Sequence, residues 1–198
     1  VDPESIRHYK IDKEIVNMNK FTTKNICLTA LGVALYVAMS MVIKIPVIGH
    51  ISLDLGYIVF AVYCYIYGAA SGAIVGACGC FLVSILATGW LGTEWAMGNL
   101  LIGVICGIVY KRIKDHRYEI IIGIVTTVIA VFLGICIVKT ALACAVYGYP
   151  FAVKFAKNSI AFVMDSIVMS IGFLFAKRIQ KYLGDDNHGY TEKDNRRA

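Results

Sequence analysis

Thr29-Ala-Leu-Gly-Val-Ala-Leu-Tyr-Val-Ala-Met-Ser40 lies in the first long apolar stretch and decides how the rest of the chain is read. Ala30, Ala34 and Ala38 recur every four residues, so on a helix they form one smooth stripe. Small side chains at that spacing let a second helix approach closely, as in small-xxx-small packing within membranes. Outward from this stretch the chain repeats apolar runs near the ~20 residues that span a bilayer as a helix.

The totals agree. The 198 residues are 59% hydrophobic and only 16% charged, with a mean hydropathy of +0.71. A soluble domain carries about a quarter charged residues. The basic residues are also segregated: five in residues 1–24, four in 111–117 and six after Ala176. These blocks sit at helix ends, so the positive-inside rule accounts for the net charge of +6 without nucleic acid. Seven cysteines, an odd number mostly inside apolar runs, argue against a disulfide framework. Cys78 and Cys80 would point about 200° apart on a helix, poor geometry for a metal, and read as packing residues. The polar first 20 residues, followed by a full apolar span, give no sign of a cleavable signal peptide.

The expected fold is an all-α integral membrane protein with six transmembrane helices and both termini cytoplasmic. A polar arm covers 1–24, a six-helix membrane domain 25–178, and a polar tail 179–198. The segments run at about 26–43, 51–67, 69–88, 94–110, 119–138 (or to 147 if the helix passes Lys139) and 151–176. Pro46 with Gly49, Gly89 with Gly92, and Gly148 with Pro150 mark loops at 44–50, 89–95 and 148–153, placed outside the cell by the basic blocks. Gly68, Gly72, Gly76 and Cys80 give the third segment a second narrow face.

Polar groups inside membrane helices are costly and mark functional sites by default. Lys154, Asn158 and Asp165 fall within about 40° of one another around the sixth helix. They present a cation and an amide near one end and a carboxylate deeper, suited to a ligand's carboxylate, carbonyl or ring edge; snorkelling by Lys154 and interhelical pairing by Asp165 are the structural alternatives. Asn99, one turn inside the Trp90/Glu94/Trp95 loop, offers donors and acceptors for a heterocycle. Trp90 and Trp95 can stack on a flat ligand or belong to an interfacial aromatic belt. Glu94 either meets the ligand or marks a solvated helix N-terminus. Asp54 and Tyr57 follow the first loop, with Asp54 equally suited to capping a helix. His50 reads as a loop histidine, and the tyrosines at 57, 63, 65 and 67 point all round their helix.

The chain has no GxxxxGK[ST] phosphate loop, no HExxH motif and no histidine at the depth of Ser71. No catalytic residue, metal site or cofactor is expected, and the chain does not read as an enzyme.

The arrangement resembles the substrate-binding S components of energy-coupling factor (ECF) transporters, small bacterial vitamin-uptake proteins. The resemblance covers about residues 24–180. It rests on size, six spans, the Ala30/Ala34/Ala38 stripe, the Ile-Ser-Leu-Asp-Leu-Gly-Tyr-Ile entry to the second segment, the glycine-rich third segment, and Asn99 followed by Gly103 and Gly107. It implies a bacterial plasma-membrane protein that captures a vitamin outside the cell. It further implies docking through Ala30, Ala34 and Ala38 onto a transmembrane coupling subunit driven by two cytoplasmic ATPases. The 44–50 loop would help close the pocket. The Asp-Phe-Ser-Asp-Ile-Pro pattern associated with riboflavin members is absent, with Leu53-Asp-Leu-Gly-Tyr57 in its place, which weakens riboflavin. The general expectation is a flat, hydrogen-bonding vitamin-like molecule, with Lys154 allowing a carboxylate or phosphate. The alternatives are a structural or assembly subunit of a membrane complex, or a solitary secondary transporter.

Overall fold

The structure, a computed structural model, describes residues 23–42, 44–48, 51–114 and 117–195. The arm up to residue 22, His50, residues 115–116 of the basic loop and the last three residues of the tail lie outside this description. Six helices follow in order among the described residues: α1 (Thr23–Val42), α2 (Gly56–Ile66), α3 (Ala69–Thr88), α4 (Thr93–Ile113), α5 (Glu119–Tyr147) and α6 (Phe151–Asn195). Two short strands, β1 (Lys44–Ile48) and β2 (Ile51–Asp54), stand between α1 and α2.

Five helices are long and apolar enough to cross a membrane: α1, α3, α4, α5 and the Phe151–Tyr182 part of α6. The second expected segment, 51–67, is a shorter apolar helix than expected. Its first residues join β1 in an antiparallel hairpin, with Lys44 opposite Asp54 and a register shift between Pro46 and Ile48. Proline cannot donate to the ladder, which fits the irregularity there. What remains is an 11-residue helix, α2. At 1.5 Å per residue it covers about 16 Å of a hydrocarbon core of about 30 Å. Lys44–Ile48 is therefore one arm of a hairpin rather than part of a simple loop.

Glycines punctuate the helices. Gly89 and Gly148 end α3 and α5 with φ of 71° and 66°, the left-handed conformation that glycine adopts without strain. Their neighbours Trp90 and Tyr149 are thereby turned onto the same end of the bundle.

Packing is organised about α4. A Cβ on Gly103 would stand 2.6 Å from the Ala73 Cα of α3, and one on Gly107 would collide with the Ala69 backbone. On the α5 side, a Cβ on Gly98 would stand 2.7 Å from the Gly134 carbonyl oxygen. Lipid supplies no hydrophobic drive for helix pairing, so backbone-close contact of this kind carries the association. The short α2 is nearly enclosed: Phe60, Ala61 and Cys64 are fully buried against Tyr36 of α1, Ile102 and Cys106 of α4, and Met169 and Phe173 of α6.

Gly103→Ala is expected to destabilise the protein by about 1–3 kcal/mol through overpacking. It should lower the apparent melting temperature in detergent, whereas Cys78→Ala, at an exposed position of α3, should leave it unchanged.

Candidate functional site

At one end of the bundle the helices part around a cavity of about 640 Å³. α4 contributes Glu94, Trp95 and Asn99 to its wall, and the preceding loop contributes Trp90. α6 contributes Lys154, Asn158 and Asp165, while Asp54 and Tyr57 enter from β2 and α2. Every residue expected to face a ligand thus borders one space.

The polar floor is ordered by hydrogen bonds between helices. The Tyr57 hydroxyl donates to Asn99 Oδ1 at 2.8 Å, linking α2 to α4, and both side chains are buried. Asn158 Nδ2 donates to Thr140 Oγ1 at 2.8 Å, linking α6 to α5. Buried amides held in this way present fixed donor and acceptor directions to anything that enters.

The rim is aromatic. Trp90 is 69% exposed and Trp95 42%, so both rings are open to an incoming molecule. Tyr147 meets Trp90 edge-on at 6.3 Å between centroids, and Tyr149 lies 6.0 Å from Tyr147. Lys139 Nζ sits 3.9 Å from the Trp95 centroid and Lys154 Nζ 4.0 Å from that of Tyr149. Glu94 accepts a hydrogen bond from the Tyr147 hydroxyl at 3.4 Å, joining α4 to α5.

Asp54 is engaged with the scaffold. Its Oδ1 accepts from Ser40 Oγ at 2.5 Å and from the backbone N–H of Gly56 at 2.8 Å, and Tyr36 donates to Oδ2 at 3.3 Å. The carboxylate therefore ties α1 to the first turn of α2, where its charge also suits the helix dipole.

Lys139 is the chief wall residue that sequence reasoning did not single out. It ends a stretch of α5, Phe132–Lys139, that winds as a π-helix. In that stretch Gly134 packs against Gly98 and Ile102 of α4, and Thr140 Oγ1 reaches the Ile135 carbonyl five residues back. Such wide turns often occur at functional sites. The available signal was the charge itself, a lone lysine within a 29-residue apolar helix.

The other tyrosines of α2 do not join the site. Tyr63 donates to the Leu28 carbonyl, while Tyr65 donates at 2.6 Å to Glu119, which pairs with Lys177 at 2.9 Å. That second polar cluster, at the opposite end of α2 from Tyr57, was not anticipated. Ala30, Ala34 and Ala38 are all exposed on α1, while Thr29, Gly32, Tyr36 and Ser40 face the bundle. Among the described residues no three His, Cys, Asp or Glu side chains cluster as a metal site would require.

Residues 20–181 match the family model described as the ECF-type riboflavin transporter, S component. The chain belongs to this family. A UPF0397 protein of Streptococcus agalactiae serotype Ia is 26% identical over 161 residues, 78% of this chain and 88% of that protein. A UPF0397 protein of an Exiguobacterium species is 23% identical over 163 residues, covering 79% and 88%. A crystal structure of the S component for biotin from an ECF-type ABC transporter shares the fold. Its TM-score is 0.59 at 14% identity, covering 82% of this chain and 94% of that one. This S component is accordingly a multi-pass protein of the bacterial plasma membrane. It is a non-catalytic subunit that binds a small vitamin-like substrate and works with coupling and ATPase subunits.

Asp54→Ala removes the acceptor for three hydrogen bonds at the hairpin–α2 junction. Hydrogen bonds to charged groups contribute about 1.5–3 kcal/mol each when made. The S component is expected to lose about 2 kcal/mol or more, read as a lower melting temperature with no ligand added.

Proposed function

We propose that this S component captures a flat, ring-bearing vitamin in the cavity between the start of α4, the second half of α5 and the start of α6, with riboflavin the first candidate. The observation that carries the reading is the convergence of the Trp90, Trp95, Tyr147 and Tyr149 rings over the buried amides Asn99 and Asn158 in one 640 Å³ space. Pockets that enclose small organic ligands have this size and make-up: aromatic walls with a few fixed polar groups. The family supplies riboflavin as candidate. The missing Asp-Phe-Ser-Asp-Ile-Pro pattern weakens it, so riboflavin is tested within a panel of flat vitamins. In riboflavin's place the same rings and amides would take another planar heterocycle.

Both termini lie in the cytoplasm and the cavity opens outside, the orientation supported by the basic blocks at 111–117 and after Ala176. Ala30, Ala34 and Ala38 form the docking surface for the transmembrane coupling subunit. Their exposure supports this, since a smooth face of α1 stands free of its own bundle. The two ATPases act through that subunit and favour a state of the S component that releases its ligand.

Titration of the purified protein with riboflavin should quench Trp90 and Trp95 fluorescence. Asn99→Ala and Asn158→Ala should each weaken binding by about tenfold or more, the loss expected when a buried polar partner is removed. If riboflavin and a panel of flat vitamins all fail to bind, the reading is wrong.

Ala34→Trp should abolish uptake into vesicles holding the full complex while the isolated protein still binds ligand. Loss of both together would overturn the docking assignment.

A further inference from the structure

We infer that Asp165 and Lys139 set the class of the ligand: an uncharged ring whose edge carries an N–H beside a carbonyl, as in a cyclic imide, lactam or urea. This rests on the cavity being the vitamin site.

The wall of the cavity carries three lysines, Lys139, Lys154 and Lys157, and three carboxylates, Asp54, Glu94 and Asp165. That balance leaves no excess charge for an acid or a base to neutralise. Two of the carboxylates serve the scaffold. Asp54 holds Ser40 and the Gly56 N–H, and Glu94 accepts from Tyr147. Asp165 differs, since among the described residues it forms no ion pair within 4.0 Å. The Tyr57 hydroxyl lies near it but gives its proton to Asn99.

The cation matched to Asp165 is Lys139. Of the carboxylates around Lys139, Asp165 acts on it most strongly, ahead of Glu94. The two nonetheless stand apart, with Lys139 Nζ resting 3.9 Å from the Trp95 centroid. Packing holds their helices at this separation. Asn158 of α6 bonds Thr140 of α5, the neighbour of Lys139, and Phe132 meets Phe162 edge-on at 5.6 Å. Both side chains border the cavity, so a molecule lodged there lies within reach of each.

An ammonium only donates hydrogen bonds and a carboxylate only accepts them. A ligand acid would satisfy Lys139 and set a like charge beside Asp165, and a ligand amine would do the reverse. A neutral edge with both a carbonyl and an N–H satisfies the two together. Each bond is then charge-assisted, roughly twice as strong as a neutral one. A site built to accept from a ligand N–H also rejects the analogue that lacks it, because its own polar group is left unpaired. Riboflavin carries such an edge, a ring N3–H between two carbonyls.

Riboflavin and its N3-methyl derivative, which replaces that N–H by N–CH3, test this. Tryptophan quenching gives both affinities in the unmodified protein, so the first comparison needs no substitution. The methyl derivative is expected to bind about tenfold or more weaker. Asp165→Ala should bring the ratio of the two affinities toward one. Lys139→Met should weaken both flavins alike, since both keep their carbonyls, and leave the ratio in place. Equal binding of the two by the unmodified protein overturns the inference and leaves the vitamin site standing. A ratio that survives Asp165→Ala reports crowding at the methyl group and overturns the assignment to Asp165. Flavin binding unchanged by Lys139→Met overturns the assignment to Lys139. Failure of both flavins to bind removes the flavin reading and this inference with it.

Discussion

The contact between α3 and α4 is the constraint on which the rest depends. Gly103 and Gly107 admit the backbone of Ala73 and Ala69 where any side chain would intrude. In lipid, where apolar surface has nothing to gain by leaving its solvent, such closeness is what makes two helices a unit. With α3 fixed on one side of α4 and α5 on the other at Gly98 and Gly134, the three helices form a wall of set spacing. The end of α3, the start of α4 and the middle of α5 then have one arrangement open to them, and the cavity is the space this leaves.

The same spacing explains why polar groups survive at depth. Asn99 sits one residue from Gly98, at the level where α4 and α5 touch. Tyr57 reaches it from a helix too short to cross the membrane. Asp54, held by α1 and by the first turn of α2, sets where that short helix begins. The Tyr57–Asn99 and Asn158–Thr140 bonds each join two different helices, so they fix relative position as well as satisfying their own members.

Much of this was legible in the sequence because membrane helices announce themselves by length and composition. The bounds of α3 are the expected 69–88, since Gly68 and Gly89 both adopt positive φ at its ends. Asn99, Lys154, Asn158 and Asp165 were singled out by one physical rule, that polarity inside an apolar span needs a reason. Residues 51–54 were misread because Ile-Ser-Leu-Asp alternates over only four residues, too few to outweigh the apolar run that follows. Lys139 escaped because its place was judged by where α5 would end. Only the π-helical turn, invisible to a 3.6-residue period, shows which way it faces. The Tyr65–Glu119–Lys177 cluster joins residues far apart in sequence, and local pattern carries no trace of it.

The short α2 has a consequence for traffic. Below Tyr57 the bundle's interior is closed by Phe60, Cys64, Ile102, Cys106, Tyr110 and Phe173, all buried to 0% exposure. No file of polar groups or water can continue through that layer without unpacking the centre of the fold. Among the described residues that layer closes the cavity on its inner side, so a molecule lodged between the rings meets packed apolar side chains rather than a polar path along the bundle axis.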